Sequence, residues 1–510
     1  MTQNPTADHA PSIGRETFRP TAHFTPRRNW INDPNGLVYF DGEYHLFYQY
    51  NPHGSEWGHM SWGHAVSSDL AHWEELPVAI PETDQMIFSG SIVVDWDNRS
   101  GLGDGNAPPL LAFFTAFDAA RSIQSQHLAY SHDRGRTFAH YAGNPIIDLD
   151  HADFRDPKVF YHADSAAWIM VVALAKDHVV QFYRSDDLLD WQLAGTFGPA
   201  GSTAGQWECP DLILVPVEGG DGRSVWVLKV DVDDRFLDGG SGTQYFVGAF
   251  DGYAFTVDPS YGNPDGDPVD YGPDFYAAIT WAELPDSQPG PIWIGWQSNH
   301  QSGRFYPTDP WQGAMSLPRR LFLYEDGGRL KLGQAPILSK HGLSLPVGGL
   351  ESSVALTADP TMLVTGLGAF QCTFDLTCST DGCVSIDLCD EDGPLAGIII
   401  DRRRGVMTFD RKPSPKVNVP AFSRRTDVVV SGETRLLRIL VDGPLVEIFV
   451  DQGKLVYTAT VFPAGIPTIV GRAISGTCQI ASLVVEELQP TMFQDGDFAD
   501  RPSVRQGRAD

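Results

Sequence analysis

The segments GHAVSSDLAHWEEL (63–76), LAYSHDRGRTFAHY (128–141), VQFYRSDDLLDWQL (180–193) and YFVGAFDGYAFTVD (245–258) are variants of one pattern. Each begins as a strand, breaks at a polar turn of Ser, Asp or Gly, and resumes at an aromatic residue. The turn aspartates are Asp69, Asp133, Asp187 and Asp251, separated by 64, 54 and 64 residues. Hairpins alike by chance would not keep so even a step. A period of roughly 60 residues accommodates a four-stranded propeller blade with long loops. About five such units fit between residues 20 and 335.

Local texture agrees with this reading. LVYFDGEYHLFYQY (37–50) is a pair of apolar, aromatic-rich runs around Asp41-Gly42, a hairpin signal. AWIMVVAL (167–174), SVWVLKV (224–230), PIWIGW (291–296) and RLLRILVDGPLVEIFVD (435–451) also read as strands, and no long segment carries a helical period. After residue 335 the pattern changes. QAPILSKHGLSLPVGG (334–349) is a linker candidate rich in Gly, Pro and Ser. Residues 350–490 alternate apolar and polar positions between turn signals, as in a β-sandwich. The expected fold is all-β: a five-bladed β-propeller over residues 20–335, followed by a C-terminal β-sandwich over 350–490. The polar tail at 492–510 is expected to be poorly ordered.

Composition narrows the function. The 65 acidic and 36 basic residues leave a net charge of −29, and no Lys/Arg-rich run occurs. Phosphate binding needs positive charge, so neither nucleic acid nor an anionic membrane is an expected partner. No stretch of about 18 apolar residues is present, so no membrane-spanning helix is expected. The N-terminal MTQNPTADHAPSIGRETFRP is polar, without the apolar core of a signal peptide. Together with six cysteines in no zinc or disulfide spacing, it gives a cytoplasmic expectation, or a secreted one if a leader was trimmed. The 13 Trp and 28 Phe suit either an all-β core or the flat apolar platforms of a carbohydrate site.

About one residue in eight is acidic, so context must select the acids that matter. Asp33 lies in NWINDPNG (29–36), where Pro34 fixes the backbone and Asn35-Gly36 permits a tight turn. Asp156 lies in DFRDPKVF (153–160), beside Arg155, which can position hydroxyls or lower a neighbouring carboxyl's pKa. Glu208 lies in QWECPDL (206–212) among apolar neighbours, a setting expected to raise its pKa and suit it to general-acid work. Singly, each has an ordinary explanation as turn or strand-end chemistry. Together they sit before or at a Pro, at an expected strand end, in three different blades. Blade ends converge on one channel, and glycoside hydrolysis needs an acid and a second carboxylate on opposite sides of the anomeric carbon. His53, His59 and His64 are a weak metal candidate, and no metal or organic cofactor is expected.

Around these residues the chain resembles glycoside hydrolase family 32, the invertase, inulinase and levanase group. NWINDPNG, YQYNP (48–52), EWGHMSWGHAVSSDLAHWE (56–74), FSGS (88–91), FRDPKVF (154–160), WECPDL (207–212), DFYAA (274–278) and GW (295–296) follow in family order. LRILVDGPLVEIFVDQGKLVYTATVFP (437–463) is similar to the family's sandwich. Ile31 stands where Met is more usual, and His300 where Trp is more common. The resemblance implies the five-bladed propeller and sandwich. It implies a retaining exo-β-fructosidase acting on fructans, fructo-oligosaccharides or sucrose, as a monomer or homodimer. Asp33 would be the nucleophile, Glu208 the acid/base, and Asp156 the residue that grips the fructose hydroxyls and steadies the transition state. Asn32, Gln49, Trp57, Phe88, Ser89, Arg155, Tyr276 and Trp296 match positions that line the fructose pocket. The same covalent intermediate would also serve a fructosyltransferase, including one that forms a difructose anhydride.

Overall fold

The computed structural model describes residues 16, 18–220, 222–337, 344–349, 353–430, 432 and 434–491. The polar tail at 492–510, most of the N-terminal stretch, and residues 338–343 of the linker candidate lie outside them. Among the described residues the only helices are short 3-10 turns, and no helix is long and apolar enough to cross a membrane.

Five antiparallel sheets follow one another along the chain. Their innermost strands are Asn29–Phe40, Met86–Val94, Phe154–His162, Trp207–Pro216 and Tyr276–Thr280. Each of these touches the innermost strands of both neighbouring sheets, the fifth meeting the first, so the five close into a ring. The closing seam is reinforced by Asn29 and Trp30, which pair in parallel with Trp311 and Gln312 from the fifth blade. The blades pack through successive apolar layers, with Trp62, Trp207 and Trp293 fully buried in three of them. Flat aromatic rings fill the wedge between twisted sheets at little conformational cost.

The repeating aspartates do one job in four blades. Each caps the turn between the third and fourth strands. Asp69 accepts from the backbone N–H of Ala71 and His72, Asp187 from Leu189 and Asp190, and Asp251 from Tyr253 and Ala254. Asp133 accepts from Thr137 instead. At Asp69, Asp187 and Asp251 these are Asx turns. In the first three blades a serine two residues earlier also donates to the aspartate. The fifth blade departs from the pattern. Its outer strands, Arg319–Asp326 and Arg329–Pro336, meet at Gly327-Gly328. A long insertion at 297–318, rather than a tight turn, separates its second and third strands.

Two further sheets, of seven and six strands, pack face to face over residues 344–488. A single apolar cluster that includes Phe370, Phe374, Phe409 and Tyr457 fills the space between them. Cys372, Cys378 and Cys478 are buried in this cluster as free thiols.

The propeller and sandwich meet through buried charge. His23 bridges Asp442 Oδ2 at 2.8 Å and Glu447 Oε1 at 3.0 Å. Arg319 reaches Glu447 at 2.8 Å and Asp270 at 3.1 Å. All five side chains are buried. Asp442 also accepts the N–H groups of Thr21, Ala22 and His23. Burial disfavours the imidazolium, but the two carboxylates outweigh it and carry His23 to about 9.

A histidine raised in the folded state stabilises fully below its unfolded value near 6.5, and loses that contribution as pH rises through 9. The shift corresponds to up to about 3 kcal/mol. His23→Gln should therefore lower the thermal midpoint markedly at pH 6 and hardly at pH 10. An equal loss at both values would show that the histidine is not charged in the fold.

Candidate active site

All five innermost strands break register. Between consecutive partners each carries two residues where its neighbour carries one, which is a β-bulge. The doubled pairs are Asn32-Asp33, Phe88-Ser89, Asp156-Pro157, Cys209-Pro210 and Ala277-Ala278. The first strand has a second break at Gly36-Leu37. Asp33 and Asp156 are thus not in turns ahead of strands, as their Pro and Gly neighbours suggest. They lie inside continuous strands, at the bulge itself. Asn35-Gly36 likewise forms no tight turn. Gly36 holds φ +54°, and a side chain there would strike Ile92 and Trp62. Pro34, Pro157 and Pro210 are tolerated because these strands are sheet edges, where no ladder hydrogen bond is forfeited. Asp156, Cys209 and Ala277 adopt positive φ of 68°, 45° and 55°. Such backbone is costly for residues with a side chain and concentrates at functional sites.

Bulge residues of the first three blades and the side chains flanking them line one cleft of about 350 Å³, within the range of small-molecule sites. Asn32, Asp33, Gln49, Trp57, Phe88, Ser89, Arg155, Asp156 and Glu208 all line it. Next to them lies a separate void of only about 10 Å³, lined by Asp156 and Cys209 together with Pro34, Pro157 and Pro210. A larger cavity of about 870 Å³ opens at another place, between the third, fourth and fifth blades, and none of the three carboxylates lines it.

Cys209 ties the three carboxylates together. Its backbone N–H donates to Asp156 Oδ2 at 2.8 Å, its thiol touches Asp33 Oδ2 at 3.5 Å, and Glu208 is its chain neighbour. Asp33 also accepts from Ser89 Oγ at 2.6 Å and Asn32 Nδ2 at 3.0 Å. Trp30 fixes the Asn32 amide by donating to its oxygen at 2.8 Å. Gln49 is the single residue opposite the Asn32-Asp33 bulge, and its amide is held by Ile87 O at 3.0 Å. Thr115, opposite the bulge on the second blade, accepts the N–H of Asp156. Arg155 clamps Glu208 Oε1 through Nε at 3.0 Å and Nη2 at 2.9 Å. Tyr276 donates its hydroxyl to the other oxygen, Oε2, at 2.6 Å.

One cation among three carboxylates sorts their protons. Burial pushes Asp156 up, and the charges of Glu208 and Asp33 add to this against the pull of Arg155, giving about 7. Burial also favours protonating Glu208. The Arg155 charge, His300 and the Tyr276 hydrogen bond outweigh it and hold Glu208 below the usual glutamate value. The apolar neighbours of Glu208 in sequence suggest the opposite direction. They are overridden because Arg155 arrives from another blade. The raised acid is Asp156.

Two expected pocket residues lie one layer back. Tyr276 and Trp296 are 1 % and 2 % exposed. Tyr276 still reaches Glu208, whereas Trp296 packs against Trp30 and His300 and buttresses the wall. Trp57, by contrast, is 54 % exposed at the rim. The cleft also recruits Phe117, Gln124, Asp153, Lys176, Gln206 and His300. Gln206 and Asp153 sit within motifs that sequence singles out, His300 is marked as a departure from the family pattern, and nothing local marks Phe117, Gln124 or Lys176. His53 and His59 meet edge to face at the rim, but His64 is buried against His45 instead. Among the described residues no group of three or more His, Cys, Asp or Glu is arranged to hold a metal ion.

Comparison with known proteins places this geometry in a family. The model for the N-terminal domain of glycosyl hydrolases family 32 matches residues 23–336, and that for its C-terminal part matches 349–486. The levanase of Bacillus subtilis is 38 % identical over 525 residues, covering 97 % of this chain and 76 % of the levanase. An extracellular exo-inulinase of Aspergillus awamori is 37 % identical over 493 residues, covering 88 % of this chain and 90 % of the relative. The crystal structure of exo-inulinase from Aspergillus awamori superimposes with a TM-score of 0.87 at 34 % identity, over 94 % of this chain and all of the other. A β-fructofuranosidase of Schwanniomyces occidentalis complexed with fructosyl-erythritol gives 0.84 at 32 % identity, over 93 % and 98 %. With a ring of five bulged blades, a clustered trio of carboxylates and relatives matching along nearly its whole length, this chain belongs to glycosyl hydrolase family 32 and is a glycoside hydrolase.

Proposed function

We propose that the enzyme is a retaining exo-β-fructosidase that releases terminal fructose from fructans, fructo-oligosaccharides or sucrose. The observation that carries this reading is the convergence of Asp33, Asp156 and Glu208 around Cys209 in one cleft. Levanase, exo-inulinase and β-fructofuranosidase relatives support the fructosyl specificity.

Asp33 attacks the anomeric carbon and forms a fructosyl ester, while Glu208 protonates the departing oxygen. Water then attacks the ester, with Glu208 taking its proton. The proton that Glu208 needs is favoured on Asp156, the raised carboxyl of the cluster. Fructose hydroxyls donating to Asp156 favour its carboxylate form, and exclusion of water raises Glu208, so binding moves the proton to the acid. Ser89 and Asn32 hold Asp33 in line for attack.

Asp33→Asn should lower kcat on sucrose by roughly 10³-fold or more while leaving the melting temperature close to wild type. Unchanged turnover would sink the mechanism. Glu208→Ala should regain activity with added azide on an activated fructoside, yielding the fructosyl azide; loss without any rescue would remove Glu208 from the acid/base role. Chromatography of products from levan, inulin and sucrose should show free fructose, and a difructose anhydride would indicate transfer instead.

The cluster must keep one proton, and that proton is lost through the Asp156 titration at about 7. A carboxyl raised this far is protonated below pH 7 and ionised above it. kcat/KM for sucrose should therefore hold at mildly acidic pH and fall as pH rises through 7. A profile flat to pH 9 would contradict the shared proton.

A further inference from the structure

Glu208 Oε2 has two neighbours besides its own strand: the Tyr276 hydroxyl at 2.6 Å and His300 Nε2 at 3.8 Å. Both hang from one buried residue. Asp274 precedes Tyr276 by two positions, and its Oδ1 accepts from the Asn299 amide and from the Tyr306 hydroxyl at 2.9 Å. Asn299 is the chain neighbour of His300. Two short stretches of backbone therefore lead from Asp274 to the same carboxylate oxygen.

The other side of Asp274 belongs to the sandwich. Its Oδ2 accepts the N–H of Thr460 at 2.6 Å and Nη1 of Arg411 at 2.5 Å. Arg411 is fully buried, sits over the Phe422 ring at 4.1 Å, and donates to Phe422 O at 2.7 Å and Thr460 O at 3.2 Å. A buried guanidinium with this many fixed acceptors has little freedom, and removing it would strand the Asp274 charge. The insertion at 297–318 has little of the sheet pairing that holds the rest of the ring: a two-residue contact with the first strand and a single bridge from Met315 to Trp296. Such a loop needs anchoring if it is to place a side chain at a reacting centre.

We propose that Arg411 of the sandwich and Asp274 are positioning residues for the proton transfer at Glu208, acting through Tyr276 and His300. The sandwich is then part of the catalytic apparatus, although it contributes no side chain to the cleft. This inference rests on the reading of Glu208 as the acid.

The test compares two substrates that differ in their need for that acid. Sucrose requires protonation of its leaving oxygen, whereas fluoride leaves β-fructofuranosyl fluoride without it. Arg411→Lys keeps a charge but loses the fork, and should lower kcat/KM on sucrose by about 10-fold while changing the fluoride value by less than about 2-fold. Tyr306→Phe removes one hydroxyl from Asp274 and should show the same selective loss to a smaller degree. It carries the test alone if Arg411→Lys fails to fold. Equal losses on both substrates, or none on either, would reduce Arg411 and Asp274 to structural residues. Glu208→Gln is the reference. If it shows no selective loss, the assignment of the acid fails and takes this inference with it. If it does and neither variant follows, the inference alone is overturned.

Discussion

Everything at the site hangs on a two-for-one mismatch in strand pairing, repeated five times around the ring. A regular strand alternates its side chains between the faces of its blade, and none of them needs to point into the channel. Inserting one residue bends the strand and re-aims the pair at the bulge. In the first three blades the re-aimed Asn32, Asp33, Phe88, Ser89 and Asp156 line the same cleft, and Glu208 joins them from the position just before the fourth bulge. The cost is visible in the backbone, where Asp156, Cys209 and Ala277 are held at positive φ. It is borne by strands that the ring holds on both sides.

Electrostatics then divides the labour among groups that are chemically alike. Three carboxylates in so small a volume repel one another, and Arg155 relieves them most directly, with His300 nearby. The guanidinium chooses Glu208, through two donors to one oxygen. Asp156 follows Arg155 in sequence yet receives a backbone N–H instead. The result is a cluster that keeps a proton close to neutral pH without surrendering the charge on its ion-paired member. Which acid holds that proton is a property of the group and can change when a sugar replaces water.

The interface between the domains uses the same currency in another way. His23 joins the propeller to two sandwich carboxylates, Arg319 sits between Asp270 of the propeller and Glu447 of the sandwich, and Arg411 of the sandwich pairs with Asp274 of the propeller. Buried ion pairs add little net stability over apolar packing, but they tolerate little misplacement. An interface built this way fixes one relative placement of two sheets that apolar contacts alone would let slide. That matters because the long insertion of the fifth blade lies between them and carries His300 to the rim.

Much of this architecture is written locally. The turn aspartates are legible because an Asx turn needs only its own neighbours, so its pattern recurs wherever the hairpin does. The fifth blade drops out of the repeat for the same reason: Gly327-Gly328 makes the turn by another chemistry. The carboxylates were also marked, since Pro beside an acid in a strand is unusual and recurs in three blades. What local sequence misjudged was their backbone, because a bulge and a turn use the same residues and differ only in what pairs alongside. It misjudged the proton on Glu208 too, because the deciding charge sits 53 residues away on a different blade. Lys176, Gln124 and Arg411 carried no signal at all, and Asp274, although it opens DFYAA (274–278), gave no sign of its link to Arg411. Their roles arise from distances across blades and domains, which the chain acquires only when the ring closes and the sandwich docks against it.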